Sequence, residues 1–502
     1  MANPLHDALL APRAGDPRPF LIPSDGAPLS QEGFLARTAQ AANALAGLGV
    51  RPGDRVIVQV EKSPEALALY GGCLRLGAVF TPLNTAYTAA ETEYFLGDAE
   101  PALAVVDPAL APALAAAAEA ASIRVETLDA AGRGGFADAV DAAPNTHAPV
   151  PRLPDDLAAI LYTSGTTGRS KGAMLTQRNL LSNAEALTEA WRFRARDVLL
   201  HALPIFHAHG LFVAINVTLL AGGALIFLPK FDTGAVIDAL PRATAMMGVP
   251  TFYTRLLARE DFTRALCGHV RLFTSGSAPL LPETHAAFET RTGHRILERY
   301  GMTETGMNCS NPYDGHRRPG SVGPALPGVE VRVADPETGR PLGAGEIGVL
   351  EVRGPNVFKG YWRMPEKTAE EFRADGFFVT GDLATIGEDG YVDIVGRAKD
   401  LIITGGFNVY PREVETAIDA LPGVIESAVI AAPHPDFGEA VVAVVAAAPD
   451  ALRDEAAVLA GLGDLAKFKR PKRVLFRDAL PRNAMGKVQK AALRAEVAGL
   501  FG

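Results

Sequence analysis

The chain has 502 residues, a formal net charge of −9 and 48% hydrophobic side chains. That hydrophobic share excludes a disordered chain, and at about 150 residues per domain the length predicts three or so folding units. The acidic balance offers no basic footprint for nucleic acid, so an anionic ligand has to be met by local basic residues.

Taken in chain order, the opening MANPLHDALLAPRAGDPRPF has no charged start leading into an apolar run, so neither a secretory signal nor a membrane anchor is expected. From residue 55, short apolar runs at 55–60, 77–81, 102–106 and 124–127 alternate with longer Ala/Leu-rich segments such as 64–76 and 108–121. This βαβα order predicts a mostly parallel sheet with helices on its faces. Residues 130–154, rich in Ala, Gly, Asp and Pro, read as a surface connection, and a strand at 157–162 leads into the glycine-rich YTSGTTGRSKGAM. A second α/β region extends to about residue 327, with strands near 224–228 and 271–275. Its longest apolar stretch, 210–228, is broken by Asn216, Thr218 and Gly222-Gly223, which predicts a buried helix, a turn and a strand, not a membrane span.

From Gly328 the texture changes to strands and turns, and GEDGYVDIVGR carries Asp389-Gly390 at the bend of a hairpin. Past Gly396 the chain crosses Arg397-Ala398-Lys399-Asp400 into a helix from Pro411, strands at ESAVIAAP and EAVVAVVAA, and a polar Lys/Arg tail. The predicted class is α/β. A large N-terminal domain, 1–396, has stacked parallel and mixed sheets, flanking helices and a small β-rich subdomain. A connection at 397–400 leads to a small α+β C-terminal domain, 401–502. Cys73, Cys267 and Cys309 are far apart and lack metal-ligand spacing, so they predict reduced, inert packing thiols and a cytoplasmic setting.

The stretch YTSGTTGRSKGAM fails the triphosphatase pattern G-x-x-x-x-G-K-[ST]. Counting from Gly165, Ser170 stands where the second glycine belongs, and Gly172 follows Lys171. Its physics still favours phosphate: glycines let backbone N–H groups converge on an anion, hydroxyls add donors and Lys171 adds charge. The bland alternative, a flexible surface linker, fits poorly with a loop that directly follows a buried strand.

With this loop come Pro204-Ile205-Phe206-His207, Gly276-Ser277-Ala278-Pro279, Tyr300-Gly301-Met302-Thr303-Glu304, Thr380-Gly381-Asp382, Gly396-Arg397, Thr404-Gly405-Gly406, and Pro481-Arg482-Asn483 with Gly486-Lys487. In that order, over nearly the whole chain, they resemble the adenylate-forming superfamily of acyl-CoA synthetases, adenylation domains and luciferases. The resemblance implies a two-step reaction. A carboxylate attacks the α-phosphate of ATP to give an acyl-AMP and pyrophosphate, and a thiol then displaces AMP. ATP and CoA are the implied co-substrates and Mg2+ the implied cofactor.

It also implies roles residue by residue. Thr163, Ser164, Gly165, Thr166, Thr167, Gly168, Ser170 and Lys171 grip the phosphates, and Glu304 with Thr166 holds magnesium. Gly276, Ser277, Ala278 and Pro279 border adenine, Tyr300 stacks on it, and Arg299, Gly301, Met302 and Thr303 complete the nucleotide pocket. Asp382 accepts the ribose hydroxyls and Arg397 adds a second contact. Lys487 touches the incoming carboxylate and the α-phosphate. The C-terminal domain is implied to be mobile, with Lys399 as its hinge and Gly405 and Gly406 lining the thiol tunnel. By composition alone Glu304 reads as a helix-start acid, Asp382 as a turn aspartate and Lys487 as a solvated tail lysine.

The acid is a separate question. GVPTFYTRLL reads as a helix capped by Thr251, with Phe252, Arg255 and Leu256 on one face. A guanidinium on or beside an apolar stripe needs a partner, either a structural carboxylate or an anionic group on the substrate. HAHGLFVAINVTL, GVPTFYTRLL, LFTSGSAPL and ERYGMTETGMNCSNPYDG together resemble the malonyl-CoA synthetase family. That resemblance implies that Arg255 and Ser277 hold the distal carboxylate of malonate, and His207 and Met307 are expected to line the pocket. Methylmalonate stays open, because Ala208 is small and an extra methyl discriminates by only about 1–3 kcal/mol. His209 is read as a core histidine.

Three other readings remain: a ligase for an aryl or medium-chain acid, an adenylation domain that loads a carrier protein, and a non-catalytic ATP-binding protein. Arg255 argues against the first, and the absence of a carrier or condensation segment in this chain argues against the second. Intact Glu304, Asp382 and Lys487 argue against the third. Malonate, ATP and CoA are the expected partners, with no nucleic acid and no membrane, for a monomer or weak homodimer.

Overall fold

The alternation that begins at residue 55 builds a six-stranded sheet in the order Arg124–Thr127, Leu103–Val106, Arg55–Gln59, Val79–Pro82, Leu157–Thr163, Lys171–Thr176. Every neighbouring pair is parallel except the last. The inner strands are apolar on both faces, as helices on both sides require. The helix Pro64–Leu76 shows why these boundaries are legible: Ser63 Oγ accepts from the Ala66 N–H at 3.1 Å, Pro64 fills the first turn, and the helix stops on a left-handed Gly77. The computed structural model describes residues 3–24, 26–163, 170–405, 407–448, 454–463, 465–483 and 486–501.

A second sheet has eight strands in the order Gly306–Ser310, Leu297–Met302, Leu272–Ser275, Ala245–Gly248, Val198–His201, Ala224–Phe227, Pro19–Pro23, Leu29–Ser30. The stretch 210–228 folds as expected. A π-helical segment, His209–Ile215, runs into the helix Asn216–Ala221, the chain turns at Gly222, and Ala224–Phe227 follows as a buried strand. The segment 130–154 is not only a connection. It contains the helix Gly135–Asp141, whose Phe136, Ala137 and Val140 are buried and which packs on the helix Gln31–Gly47. Three apolar residues on one short stripe were masked by the polar composition around them. Among the described residues no helix is long and apolar enough to cross a membrane.

Two compact units result, Met1–Glu330 with Val352–Phe378 and Val331–Glu351 with Val379–Gly502. The first holds both large sheets. In the second, the hairpin of Phe378–Ile386 and Val392–Arg397 bends at Gly390, which is left-handed as its turn demands. A further five-stranded sheet is centred on Gly438–Ala447, which pairs with Val424–His434. Alternate residues face two cores. Val429, Val441, Ala443 and Val445 pack with Ile402, Val414, Ile418 and Val474, whereas Ala428, Ile430, Val442 and Val444 pack with Leu480, Leu493 and Val497. Burial on both faces explains why EAVVAVVAA is unbroken apolar sequence. The polar tail expected after these strands is instead a further strand, Arg473–Arg477, parallel to Gly438–Ala447, and a helix, Lys490–Val497. Leu493 and Val497, four residues apart, form an apolar stripe that the surrounding Lys and Arg residues concealed.

Candidate active site

In the first unit the candidate residues collect where ligands bind in open α/β sheets, beyond the carboxyl ends of parallel strands. Thr163, His201, Gly248, Ser275 and Met302 each end such a strand. Ser164, Gly165, Thr166, Thr167 and Gly168 lie outside the described residues, but the stem of their loop is well defined. Thr163 pairs with Lys171 and Tyr162 with Gly172 across an antiparallel ladder. Tyr162 Oη donates to Asp98 Oδ2 at 2.6 Å, and Tyr94 Oη donates to the Ser170 carbonyl at 2.9 Å. Gly172 has no room for a side chain: a Cβ there would stand 2.8 Å from Ile160 Cγ2 and 3.3 Å from Trp362 Cβ. Lys171 Nζ lies 3.1 Å from Glu371 Oε1.

Glu304 sits in the turn between Leu297–Met302 and Gly306–Ser310, an antiparallel pair, and not at a helix start. It is 6% exposed, and its carbonyl accepts from the Phe358 N–H at 2.8 Å. Tyr300, Gly301, Met302 and Thr303 line the same turn and its preceding strand, all half-buried. Among the described residues no group of three or more His, Cys, Asp or Glu could enclose a metal ion. Magnesium held mostly by phosphate oxygens needs no such cage, and the single buried carboxylate of Glu304 fits that donor set.

The acid pocket differs most from expectation. Arg255 lies on the exposed side of the helix Pro250–Leu257, so it is not the buried cation that the helical periodicity predicts. Tyr253 and Leu256 carry the buried stripe, and the helix starts from Val249 with Pro250 in its first turn, not from a Thr251 cap. The arginine that is buried instead is Arg299, on the strand Leu297–Met302. It is 3% exposed, and its Nε and Nη2 meet no hydrogen-bond acceptor among the described residues. Burial lowers it to about 10. Its guanidinium lies against Gly276, after the strand Leu272–Ser275.

Beside it, Ser277 is held at a left-handed φ of 69°, and its Oγ lies 3.3 Å from His209 Nδ1. His209 Nε2 is also buried and meets no hydrogen-bond partner among the described residues, so His209 is not the satisfied core histidine expected of it. Burial first, then the charge of Arg299, pushes the His209 imidazole well down, and burial lowers His207 to about 4. Nearby basic groups continue the pattern. Lys62 Nζ donates to His201 Nδ1 at 2.7 Å, which leaves the ring proton on Nε2, 2.8 Å from the Gly210 carbonyl. Met307 is buried, while Ala208 and Ala278 are half-buried and Pro279 is exposed. The resemblance places Arg299 in the nucleotide pocket, and its burial on the strand Leu297–Met302 is a feature that the sequence alone does not mark.

The second unit groups the remaining candidates. Arg397 Nε lies 2.6 Å from Asp382 Oδ1, in a ladder that pairs the two residues directly. Asp382 is buried, and its N–H donates to Thr380 Oγ1 at 3.0 Å. Lys399 lies in the short 3-10 turn Ala398–Asp400; burial, then Arg397, lowers it. The Lys487 side chain keeps contact with solvent, yet its ammonium is crowded: desolvation, then the like charge of Arg397, lowers it to about 8. Gly405 is left-handed at the turn between Ile402–Thr404 and Phe407–Val409, and its N–H donates to the Phe437 carbonyl. Gly406 lies outside the described residues. All three cysteines are buried, and burial pushes the Cys267 and Cys309 thiols up to about 12, which fits inert packing.

Comparison with known proteins gives matches over both units. Residues 13–362 match the AMP-binding enzyme family, and residues 413–487 match the C-terminal domain of AMP-binding enzymes. Among solved structures, ATP-bound MatB from Rhodopseudomonas palustris superposes with a TM-score of 0.98 at 58% identity, over 100% of each chain. A malonate–CoA ligase of Arabidopsis thaliana is 39% identical over 372 residues, 68% of this chain but only 60% of the plant protein. A feruloyl-CoA synthase of Amycolatopsis is 38% identical over 499 residues, 98% of this chain and 97% of that one.

Proposed function

The chain belongs to the AMP-binding enzyme family, and from that premise we propose that it is an ATP-dependent acid–thiol ligase. It joins malonate to CoA through an acyl-AMP and releases AMP and pyrophosphate. The observation that carries the choice of acid is Arg299, a buried guanidinium beside Ser277 and His209 with two nitrogens that meet no partner among the described residues. A buried charge without a partner is costly, and a substrate with a second carboxylate removes the cost. An aryl monocarboxylate such as that of the feruloyl-CoA synthase leaves this cation unanswered, and the likeness to that enzyme is the lower one, 38% against 58%.

Arg299, Ser277 and the neutral His209 hold the distal carboxylate, with Arg255 as a second cation and His207 and Met307 beside the acyl chain. Planar, forked donors suit a carboxylate. The near carboxylate and the α-phosphate are both anions, and Lys487 offsets their repulsion as they react. Thr163, Ser170 and Lys171, with the loop between them, retain the leaving pyrophosphate. Glu304 and Thr166 are the residues that would hold Mg2+, which supplies charge neutralisation there. Gly276 to Pro279 and Tyr300 border adenine, and Asp382 with Arg397 takes the ribose. The domain 401–502 turns about the hinge 397–400 at Lys399 for thioester formation, with Gly405 and Gly406 lining the thiol path. Ala208 leaves room for methylmalonate, so the enzyme accepts that acid as well. The protein acts in the cytoplasm as a monomer or weak homodimer. A panel of acids with ATP and CoA, read as AMP release, tests the reading: malonate should lead, and faster turnover of acetate or hexanoate overturns it.

A further inference from the structure

Two side chains to which no role has been given above, Glu371 and Tyr361, join Lys171 to Glu304. Lys171 Nζ is 3.1 Å from Glu371 Oε1 and lies 4.0 Å from the centroid of the Tyr361 ring. Tyr361 Oη is 2.7 Å from Glu371 Oε2 and 3.2 Å from Glu304 Oε1. The phenol has one proton to share between two carboxylates, and the shorter contact goes to Glu371.

The backbone explains why these groups meet. Residues 359–362 run as an added edge along the strand Lys171–Thr176: Lys359 N–H donates to the Met174 carbonyl, Met174 N–H to that of Gly360, and Trp362 N–H to that of Gly172. Tyr361 is thereby placed next to the exit of the loop. One residue earlier, the Phe358 N–H holds the Glu304 carbonyl, so the same short segment grips both sides of the site. Glu371 follows directly on the helix Pro365–Glu370, and Thr368 of that helix accepts from the Tyr361 N–H at 2.9 Å. Lys367 Nζ adds a second cation to Glu371 at 3.2 Å.

The charges decide what this arrangement does. Burial alone would push Glu371 up, but hydrogen bonds from Tyr361 and Lys171 outweigh it and hold the carboxyl below its usual range. The ammonium of Lys171 is therefore satisfied inside the protein, and its charge is already matched before any phosphate arrives.

We propose that Glu371 and Tyr361 are positioning residues for adenylation, a strut in which Glu371 anchors Lys171 and Tyr361 Oη carries that anchor across to Glu304. The strut keeps Lys171, at the exit of the loop, and Glu304 at a set separation. This inference rests on the reading of Glu304 and the loop as the ATP-phosphate site. It gives Lys171 a fixed partner in Glu371 in addition to its place in the phosphate site.

The test uses the full chain with MgATP, by calorimetric binding without malonate or CoA and by steady-state kinetics. Hydrogen bonds to charged groups are worth roughly ten- to hundredfold, so Glu371→Gln and Tyr361→Phe should each weaken MgATP by about that factor. KM for malonate and for CoA and the thermal midpoint should stay unchanged, and the double variant should be no worse than Glu371→Gln alone. If all three KM values and the thermal midpoint deteriorate together, the pair is merely structural and the proposal fails. Tighter MgATP binding by Glu371→Gln also overturns it, because Glu371 would then be competing with phosphate for Lys171. Glu304→Gln separates the two levels. If it leaves MgATP binding intact, the site reading falls and the strut with it. If it weakens binding while Glu371→Gln and Tyr361→Phe do not, only the strut falls.

Discussion

Arg299 and Gly276 share one volume: a Cβ on residue 276 would stand 2.2 Å from Arg299 Nη1 and 2.4 Å from its Cζ. Glycine at 276 is the space into which the guanidinium folds. Gly276→Ala should push Arg299 aside and raise KM for malonate by roughly ten- to hundredfold, the worth of a charged hydrogen bond. Arg299→Met should abolish malonate use and yet not lower the thermal midpoint of the free protein, since it removes a buried charge whose Nε and Nη2 meet no acceptor among the described residues. Malonate with ATP should stabilise the wild type and not this variant. Melting curves with and without ligand check both points, and a large loss of stability in Arg299→Met would mean that the guanidinium is a structural element.

Arg255 is exposed, so its removal should cost under about 0.5 kcal/mol of stability. As the second cation of the acid site, it should nevertheless matter to malonate. Arg255→Ala is expected to raise KM for malonate while leaving MgATP binding near normal. A change of less than about twofold, below what one charged hydrogen bond supplies, would leave the distal carboxylate to Arg299 alone.

Lys487, lowered to about 8, is charged below that pH and neutral above it. Its charge is needed only while the carboxylate attacks phosphorus. The adenylation half-reaction, followed as pyrophosphate release without CoA, should therefore fall as pH rises through about 8. Lys487→Ala should lose this half-reaction while keeping thioester formation from supplied acyl-adenylate. Equal loss of both halves would remove Lys487 from the attack step.

Lys399 occupies the middle of the three-residue turn Ala398–Asp400. Proline there locks φ at about −65° and resists the backbone change that a hinge needs. Lys399→Pro should slow thioester formation far more than adenylation in single-turnover assays. A parallel fall in both rates would place the hinge elsewhere.

The strands and helices of both units were largely legible because period and punctuation are local. Ser63-Pro64 and Gly77 bracket one helix, and Gly390 bends the hairpin as its turn type demands. The failures share a cause: the helices Gly135–Asp141 and Lys490–Val497 bury only three and two residues, too few to outweigh charged or polar neighbours in a reading of composition. Tyr361 and Glu371 gave no signal at all, since their meeting with Lys171 depends on an edge pairing between segments far apart in the chain.

The sequence by itself determined the reaction class through the order of its motifs, from the glycine loop to Gly486-Lys487, which together resemble one superfamily, although by composition alone Glu304, Asp382 and Lys487 read as ordinary residues. Only the tertiary structure decided which of the two arginines, Arg255 or Arg299, is buried. Helical periodicity puts Arg255 beside an apolar stripe but cannot say what covers that side, and nothing covers it enough to bury the arginine. Burial is set by neighbours brought from elsewhere. Arg299 lies against Gly276 and within electrostatic reach of Tyr253 and His209, which come from three other segments of the chain.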